Sequence, residues 1–347
     1  MVAIDSTDSS SSGITQDAEA ADITGIHHIG LIVRDMDAAL AAFRRFGFHL
    51  GPPAYPALPP APGEAPEPVG AGNTHADFPR SFIELLAIAP QQRDRLPAGA
   101  RLIPLQIPDD HLAATRTVIG QAVANLTARL AISEGARILV FATRDAEATA
   151  DRLEASGVGS SGVRVAQRPI ATAEGMKLAT VKFLEINDDD PAAPPGMVPE
   201  GRVGVAEDAP AELLDAQTGL DHPNGATGLA EGVLCVDDDQ RSAAVTRYEA
   251  YLHRSATFDG PNAVFDLGPS RLVLTTPAAL AAHLPGEKPY ATPALSACTI
   301  DVADLAAAED RLRAQGVPLR RTADGRPFIP AEAALGAALV FQQARLA

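Results

Sequence analysis

Glu84 lies in Phe82-Ile-Glu-Leu-Leu86, a carboxylate set among large apolar residues. Burying it costs free energy unless a metal ion, a cation or water meets the charge; the alternative is a strand face open to solvent. The same pattern returns at Phe183-Leu-Glu-Ile186, which makes Glu185 a second candidate catalytic carboxylate or, equally, an exposed strand-end residue. Imidazoles come from three places. In Gly25-Ile-His-His-Ile-Gly30 strand alternation puts His28, Gly30 and Ile32 on one face and His27 on the other. Asn73, His75 and Asp77 share a strand face just before Glu84 and form a polar lining for substrate or for solvent. His222-Pro-Asn-Gly225 reads as a tight turn that could hold the His222 imidazole at a cleft mouth as ligand or general base, with Asn224 beside it for substrate. In the plainer reading the turn is structural and His222 only packs. His49, His111, His253 and His283 join no constellation and are read as surface residues.

Several other chemistries are excluded. The chain has no glycine loop for phosphate, no GxSxG elbow and no HExxH helix. Lys and Arg number 28 against 44 Asp and Glu, a net charge of −16 that repels phosphate backbones and anionic lipid, so neither nucleic acid nor membrane is an expected partner. Two cysteines, Cys235 and Cys298, supply neither a disulfide framework nor a zinc cluster and fit a cytoplasmic protein. No apolar run reaches the roughly 20 residues of a bilayer span. Residues 1–24, rich in Ser and Asp, lack the basic and apolar regions of a signal peptide and are expected to be a disordered tail.

The elements that must position these side chains repeat. An apolar strand, an Asp, an amphipathic helix and a Gly 12 positions beyond the Asp occur at Asp35/Gly47, Asp145/Gly157 and Asp304/Gly316. Asp suits the helix N-cap, and Gly suits the left-handed residue that ends the helix. Positions one and eight beyond each Asp, such as Met36 and Phe43, are apolar and lie on one helical face. A diverged copy begins at Gly232-Val-Leu-Cys-Val236 and lacks the terminal Gly. With β-rich stretches after each helix, the unit is βαβββ and there are four of them. Gly51–Gly72, with eight prolines, reads as a surface excursion able to act as a lid, and Asp188–Gly204 as a linker.

Gly25-Ile-His-His-Ile-Gly-Leu-Ile-Val-Arg-Asp-Met-Asp-Ala-Ala-Leu40 and Phe82-Ile-Glu-Leu-Leu86 resemble the vicinal oxygen chelate superfamily, and His222-Pro-Asn-Gly-Ala226 resembles its glyoxalase-like subgroup. The resemblance implies an α+β chain of four βαβββ units paired into two half-open β-barrel modules. One pair would span 25–190, with units at 25–90 and 135–187 and a helical connector at 108–131; a linker at 191–222 and a second pair at 223–347 would follow. It also implies that His28 and Glu84 hold a divalent metal ion, with His222 as a further ligand. An imidazole and carboxylate set suits Zn, Mn, Fe, Co or Ni without selecting among them. The implied activity is that of a lyase or isomerase on a small oxygenated metabolite, with Glu84, His222 and Glu185 as candidate proton-transfer groups. The alternatives are a metal-free binding protein and a ring-cleaving dioxygenase, which needs a second histidine from His75 or His222. A monomer or a homodimer would serve.

Overall fold

The computed structural model describes residues 22–345, so the tail expected over 1–24 lies outside the described residues up to residue 21, while Ile23 and Thr24 already belong to the first strand. Unit one comprises β1 (Ile23–Val33), α1 (Met36–Arg45), β2 (Ala54–Leu58), β3 (Glu67–Pro68), β4 (Ala71–Asp77) and β5 (Phe82–Ile88). β6 (Arg101–Pro104) and α2 (Leu112–Ile132) lead to unit two: β7 (Gly135–Thr143), α3 (Ala146–Ala155), β8 (Arg164–Thr172), β9 (Gly175–Glu185) and β10 (Arg202–Glu207). The short α4 (Ala211–Asp215) precedes unit three: β11 (Ala226–Cys235), α5 (Arg241–Leu252), β12 (Thr257–Asp259), β13 (Asn262–Asp266) and β14 (Arg271–Thr275). After α6 (Pro277–His283), unit four has β15 (Ala294–Val302), α7 (Leu305–Ala314), β16 (Arg320–Arg321), β17 (Pro327–Ile329) and β18 (Ala338–Gln343).

The repeat signals act as their chemistry requires. Asp35, Asp145 and Asp304 cap their helices by accepting from the backbone N–H three residues on. Gly47, Gly157 and Gly316 take φ of +88°, +75° and +65° at the helix ends; unit three, which lacks the glycine, puts His253 there at φ +50°. Phe43, Leu153 and Leu312, eight residues beyond each Asp, are fully buried in a core that runs through both halves of the chain.

Strand pairing fixes which units belong together. β1 runs antiparallel to β7 and β11 antiparallel to β15, so units one and two form one module and units three and four the other. A single pairing, Leu295 with Ala136, joins the two into one eighteen-stranded sheet that curls without closing into a barrel. Among the described residues no helix is long and apolar enough to cross a membrane.

Two expectations are corrected. The stretch read as linker contains β10, which pairs in parallel with β7 and is buried along Val203–Ala206. It is therefore the closing strand of unit two, and β9 is the hairpin strand outside it. Arg202-Val-Gly-Val-Ala-Glu207 is short and follows a Pro- and Asp-rich stretch, so its sequence does not announce a central strand. The proline-rich 51–72 stretch is likewise no free excursion, because β2 and β3 lie in it and Tyr55 is buried there with its ring over Gly72.

Candidate functional site

The concave face of the first module holds a cleft of about 140 Å³, and His28, Glu84 and Glu185 all line it. His28 projects from β1 and Glu84 from the adjacent β5, where Glu84 is in register with Gly30. Gly30 must be a glycine for reasons of space. An added Cβ would sit 2.8 Å from Ile138 Cβ and 2.9 Å from Glu84 Oε2, so the missing side chain is what lets the carboxylate lie over β1.

Glu84 is buried and accepts a 2.6 Å hydrogen bond from the Asn73 amide on β4. His75 Nε2 lies 3.9 Å from the same carboxylate oxygen, Oε1. Burial opposes the charge, but the facing imidazoles of His75 and His28 and the Asn73 amide outweigh it and bring the carboxyl down to about 2. Burial, aided by the neighbouring His27, pushes His28 well below the usual histidine range. The cleft floor thus pairs a neutral imidazole with an ionised carboxylate.

Simple alternation fails at His27. A bulge in the β1–β7 register between Ile26 and His28 turns both histidines toward the same cluster, with their Nδ1 atoms 2.8 Å apart. His27 Nε2 is 3.1 Å from Asp208 Oδ2, and Arg168 donates to Asp208 at 2.6 Å and to Asp77 at 3.1 Å. Burial works against the Asp208 charge, yet the His27 hydrogen bond and the Arg168 guanidinium hold its carboxyl well below the usual range. An ionised Asp208 can only accept, so His27 donates to it from Nε2–H, and in the tautomer whose Nδ1 is bare His27 accepts there from His28 Nδ1–H. His28 is left with a bare Nε2. Phe82 fixes the ring from the side: its own ring stacks on His28 and on His75, each with centroids 4.4 Å apart, and Arg168 lies over it at 5.2 Å.

A model of the glyoxalase-like domain matches residues 26–252, about two thirds of the chain. The chain belongs to the glyoxalase-like domain family. No curated protein sequence matches it. Among solved structures this glyoxalase-like chain is similar to a hypothetical protein from Staphylococcus aureus, at 14% identity and a TM-score of 0.50, covering 92% of this chain and 99% of that one. It is also similar to a variant of 4-hydroxymandelate synthase from Streptomyces coelicolor, at 14% identity and a TM-score of 0.51, covering 94% of each. At such identity the likeness is one of fold.

The remaining candidates of the glyoxalase-like chain separate clearly. Glu185 shares the cleft, but the residue equivalent to Glu84 in unit two is Gly204, paired with Val140 as Glu84 is with Gly30. Glu185 sits one strand further out and is met by Arg202 at 2.9 Å. His222 does not face the cleft. Its Nδ1 accepts from the His49 N–H at 2.9 Å, its Nε2 donates to the Asp77 carbonyl at 2.9 Å, and its ring packs edge-on against Phe48 and Phe78. With both nitrogens committed and 8% exposure, it is neither ligand nor base. Asn224 is also structural, donating to Phe46 O and accepting from Ala226 N. The His222–Gly225 turn staples the end of α1 to the start of β11.

Phe82 stacks on both His28 and His75, and of the two histidines that the ring-cleaving alternative could draw on, His75 stands near Glu84, 3.9 Å away, while His222 is turned from the cleft. Among the described residues the group of three close donors is Asp145, Glu147 and Glu207, away from the cleft. Lys182 meets Glu147 at 2.8 Å and Glu207 at 3.5 Å, and Glu207 accepts from the first N–H of α3, so these carboxylates answer a lysine and a helix end. His27, Arg168 and Asp208 were not legible as functional. The doubled His was the one available signal, and its partners come from β8 and from beyond β10.

Proposed function

We propose that the first cleft binds a small oxygenated metabolite and acts on it as a divalent-metal-dependent lyase or isomerase of the glyoxalase type. One observation carries this reading: a neutral imidazole and an ionised carboxylate share a cleft floor backed by Ile138 and Val140. These are the protonation states a divalent ion requires of its ligands, so His28 and Glu84 fit as two donors. Unit two offers Ile138 and Gly204 at the corresponding positions and would contribute no donor to such an ion. Such an ion supplies Lewis-acid polarisation of adjacent substrate oxygens.

The chain's own residues do the rest. Asn73 fixes one Glu84 oxygen, and the Asp208–His27 pair holds the His28 tautomer and ring angle. Ile138, Val140 and Val205 exclude water from one wall and strengthen every charge opposite them. Arg202 at the edge is held in an ion pair with Glu185 at 2.9 Å.

Equilibrium dialysis of the full chain against Zn, Mn, Fe, Co and Ni tests the reading. One bound ion per wild-type chain is expected, and at least about tenfold weaker binding in His28→Ala and Glu84→Gln. A wild type that retains no ion under any of these metals refutes it. The absence of donors at Ile138 and Gly204 favours a second reading, metal-free sequestration of a small molecule in the same cleft. Ion-free protein that holds a ligand stoichiometrically without turnover would support that reading instead.

A further inference from the structure

The second module has its own cleft, of about 420 Å³, three times the volume of the first. Its floor uses the same register positions with other side chains. Val233 faces Ala297 across β11–β15 as Gly30 faces Ile138 across β1–β7, so Glu231 holds the place of His28. Arg271 pairs with Glu231 where Phe82 pairs with His28, and Val273 stands in the place of Glu84. The imidazole and carboxylate of the first cleft are thus replaced by a carboxylate and a guanidinium.

We propose that this cleft is a separate, metal-free binding site for a small organic monocarboxylate with a compact apolar body, gripped by Arg271. Glu231 is 5% exposed, and its carboxylate accepts from Thr299 Oγ1 at 3.2 Å and from Arg271 Nε. That contact anchors the guanidinium through one nitrogen only. Its two terminal nitrogens have no hydrogen-bond partner among the described residues, and the Arg271 side chain remains 44% exposed at the cavity. A guanidinium held rigid by Nε with its terminal donors open is shaped for a two-point carboxylate contact. Arg326, the other guanidinium at this cleft, is already committed to Asp324, Gln342 and His283.

The walls define the rest of the ligand. Val233, Val264, Val273 and Leu280 line the cavity, and its volume lies within the range of small-molecule sites. Asp259 and Asp324 also line it, and together with Glu231 they would repel a second negative group. A single carboxylate on an apolar body brings one negative charge against Arg271, whereas a dicarboxylate or a phosphate would bring a second one against Glu231, Asp259 and Asp324. His283, read from the sequence as a stray surface residue, belongs to this cleft by way of Arg326. The proposal stands apart from the metal reading of the first cleft.

Saturation-transfer NMR on the full chain, with benzoate as probe, tests it. Benzoate is expected to receive saturation and to shift the Arg271 side-chain nitrogen signals. The neutral analogue benzamide should bind about tenfold more weakly or worse, as expected for loss of a charge-assisted pair. Arg271→Gln should lose benzoate to a similar degree, while the first-cleft variant Glu84→Gln should bind it as the wild type does. The Arg271 signals in the wild type keep the test decisive even if Arg271→Gln fails to fold. Absence of saturation transfer, equal binding of benzamide, or loss of benzoate in Glu84→Gln with retention in Arg271→Gln would each overturn the proposal.

Discussion

Replacing Glu84 by Gln keeps the shape of the first cleft floor and removes its charge, so the variant isolates what that charge contributes. The native carboxyl titrates at about 2 against an ordinary value of 4.5. A group depressed on folding stabilises the native state above its unfolded pKa and loses that contribution as pH falls toward its folded pKa, here between about 5 and 2. Linkage across that window puts the wild-type loss between about pH 5.5 and about pH 3 at about 2 kcal/mol, a loss that Glu84→Gln does not suffer. The stability advantage of wild type over the variant should therefore shrink by about that amount over the same interval. His28, also depressed, loses stability in the same direction as pH falls; a His28→Ala background removes that titration together with one of the groups that depress Glu84, so the shrinkage there should be smaller. Urea unfolding at each pH gives the stabilities, and carboxyl carbon NMR gives the Glu84 titration directly. If the two proteins keep a constant difference across the acid range, or if Glu84 titrates near 4.5, the buried carboxylate is not held ionised by His75, His28 and Asn73.

Gly30→Ala forces a Cβ to within 2.8 Å of Ile138 Cβ and 2.9 Å of Glu84 Oε2, and should destabilise by about 1–3 kcal/mol in urea unfolding. A neutral outcome would mean that the floor is looser than these contacts imply. His222→Phe keeps the ring between Phe48 and Phe78 but leaves the His49 N–H and the Asp77 carbonyl unpaired, at a cost of about 1–3 kcal/mol in urea unfolding. Ion retention in dialysis should be unchanged in that variant, and loss of the ion would return His222 to the site. Asp208→Asn removes the obligatory acceptor beside His27. Nitrogen NMR should then show the His28 proton shared between Nδ1 and Nε2, where the wild type holds it on Nδ1.

The helices and first strands of the units were legible because local rules set them: an Asp cap, a Gly at the left-handed position, and apolar residues on one face. Asp35, Asp145 and Asp304 needed no tertiary information to be recognised. β10 was not legible, since its burial comes from lying between β7 and β9 and not from its own pattern. That one strand decides the Glu84 equivalence, and so Glu185 was matched to the wrong position. His28 and Glu84 line one cleft; the family resemblance pointed to both, and strand alternation in β1 singled out His28. His27 was missed because a bulge breaks that alternation, and nothing in the sequence marks the extra residue. His222 and Asn224 were read as site residues from a turn motif whose partners, His49, Phe46 and Asp77, are contributed by other elements far away in the chain.

The two modules also show why the site lies where it does. In the first, one unit supplies the polar floor and its partner supplies apolar residues, with His28 and Glu84 facing Ile138 and Val140; in the second, Glu231 pairs with Thr299, which donates to it, and Val233 pairs with Ala297. A floor polar on both sides would hydrate and screen its own charges, while one apolar on both sides would be filler for a closed core. Pairing unlike units removes water from one side of each ionisable group without removing its partners, which strengthens the field that remains. The caps, glycines and helix-face residues that close each unit are independent of those floor positions. The same scaffold can therefore hold an imidazole–carboxylate pair in one cleft and a carboxylate–guanidinium pair in the other without altering the register of either sheet.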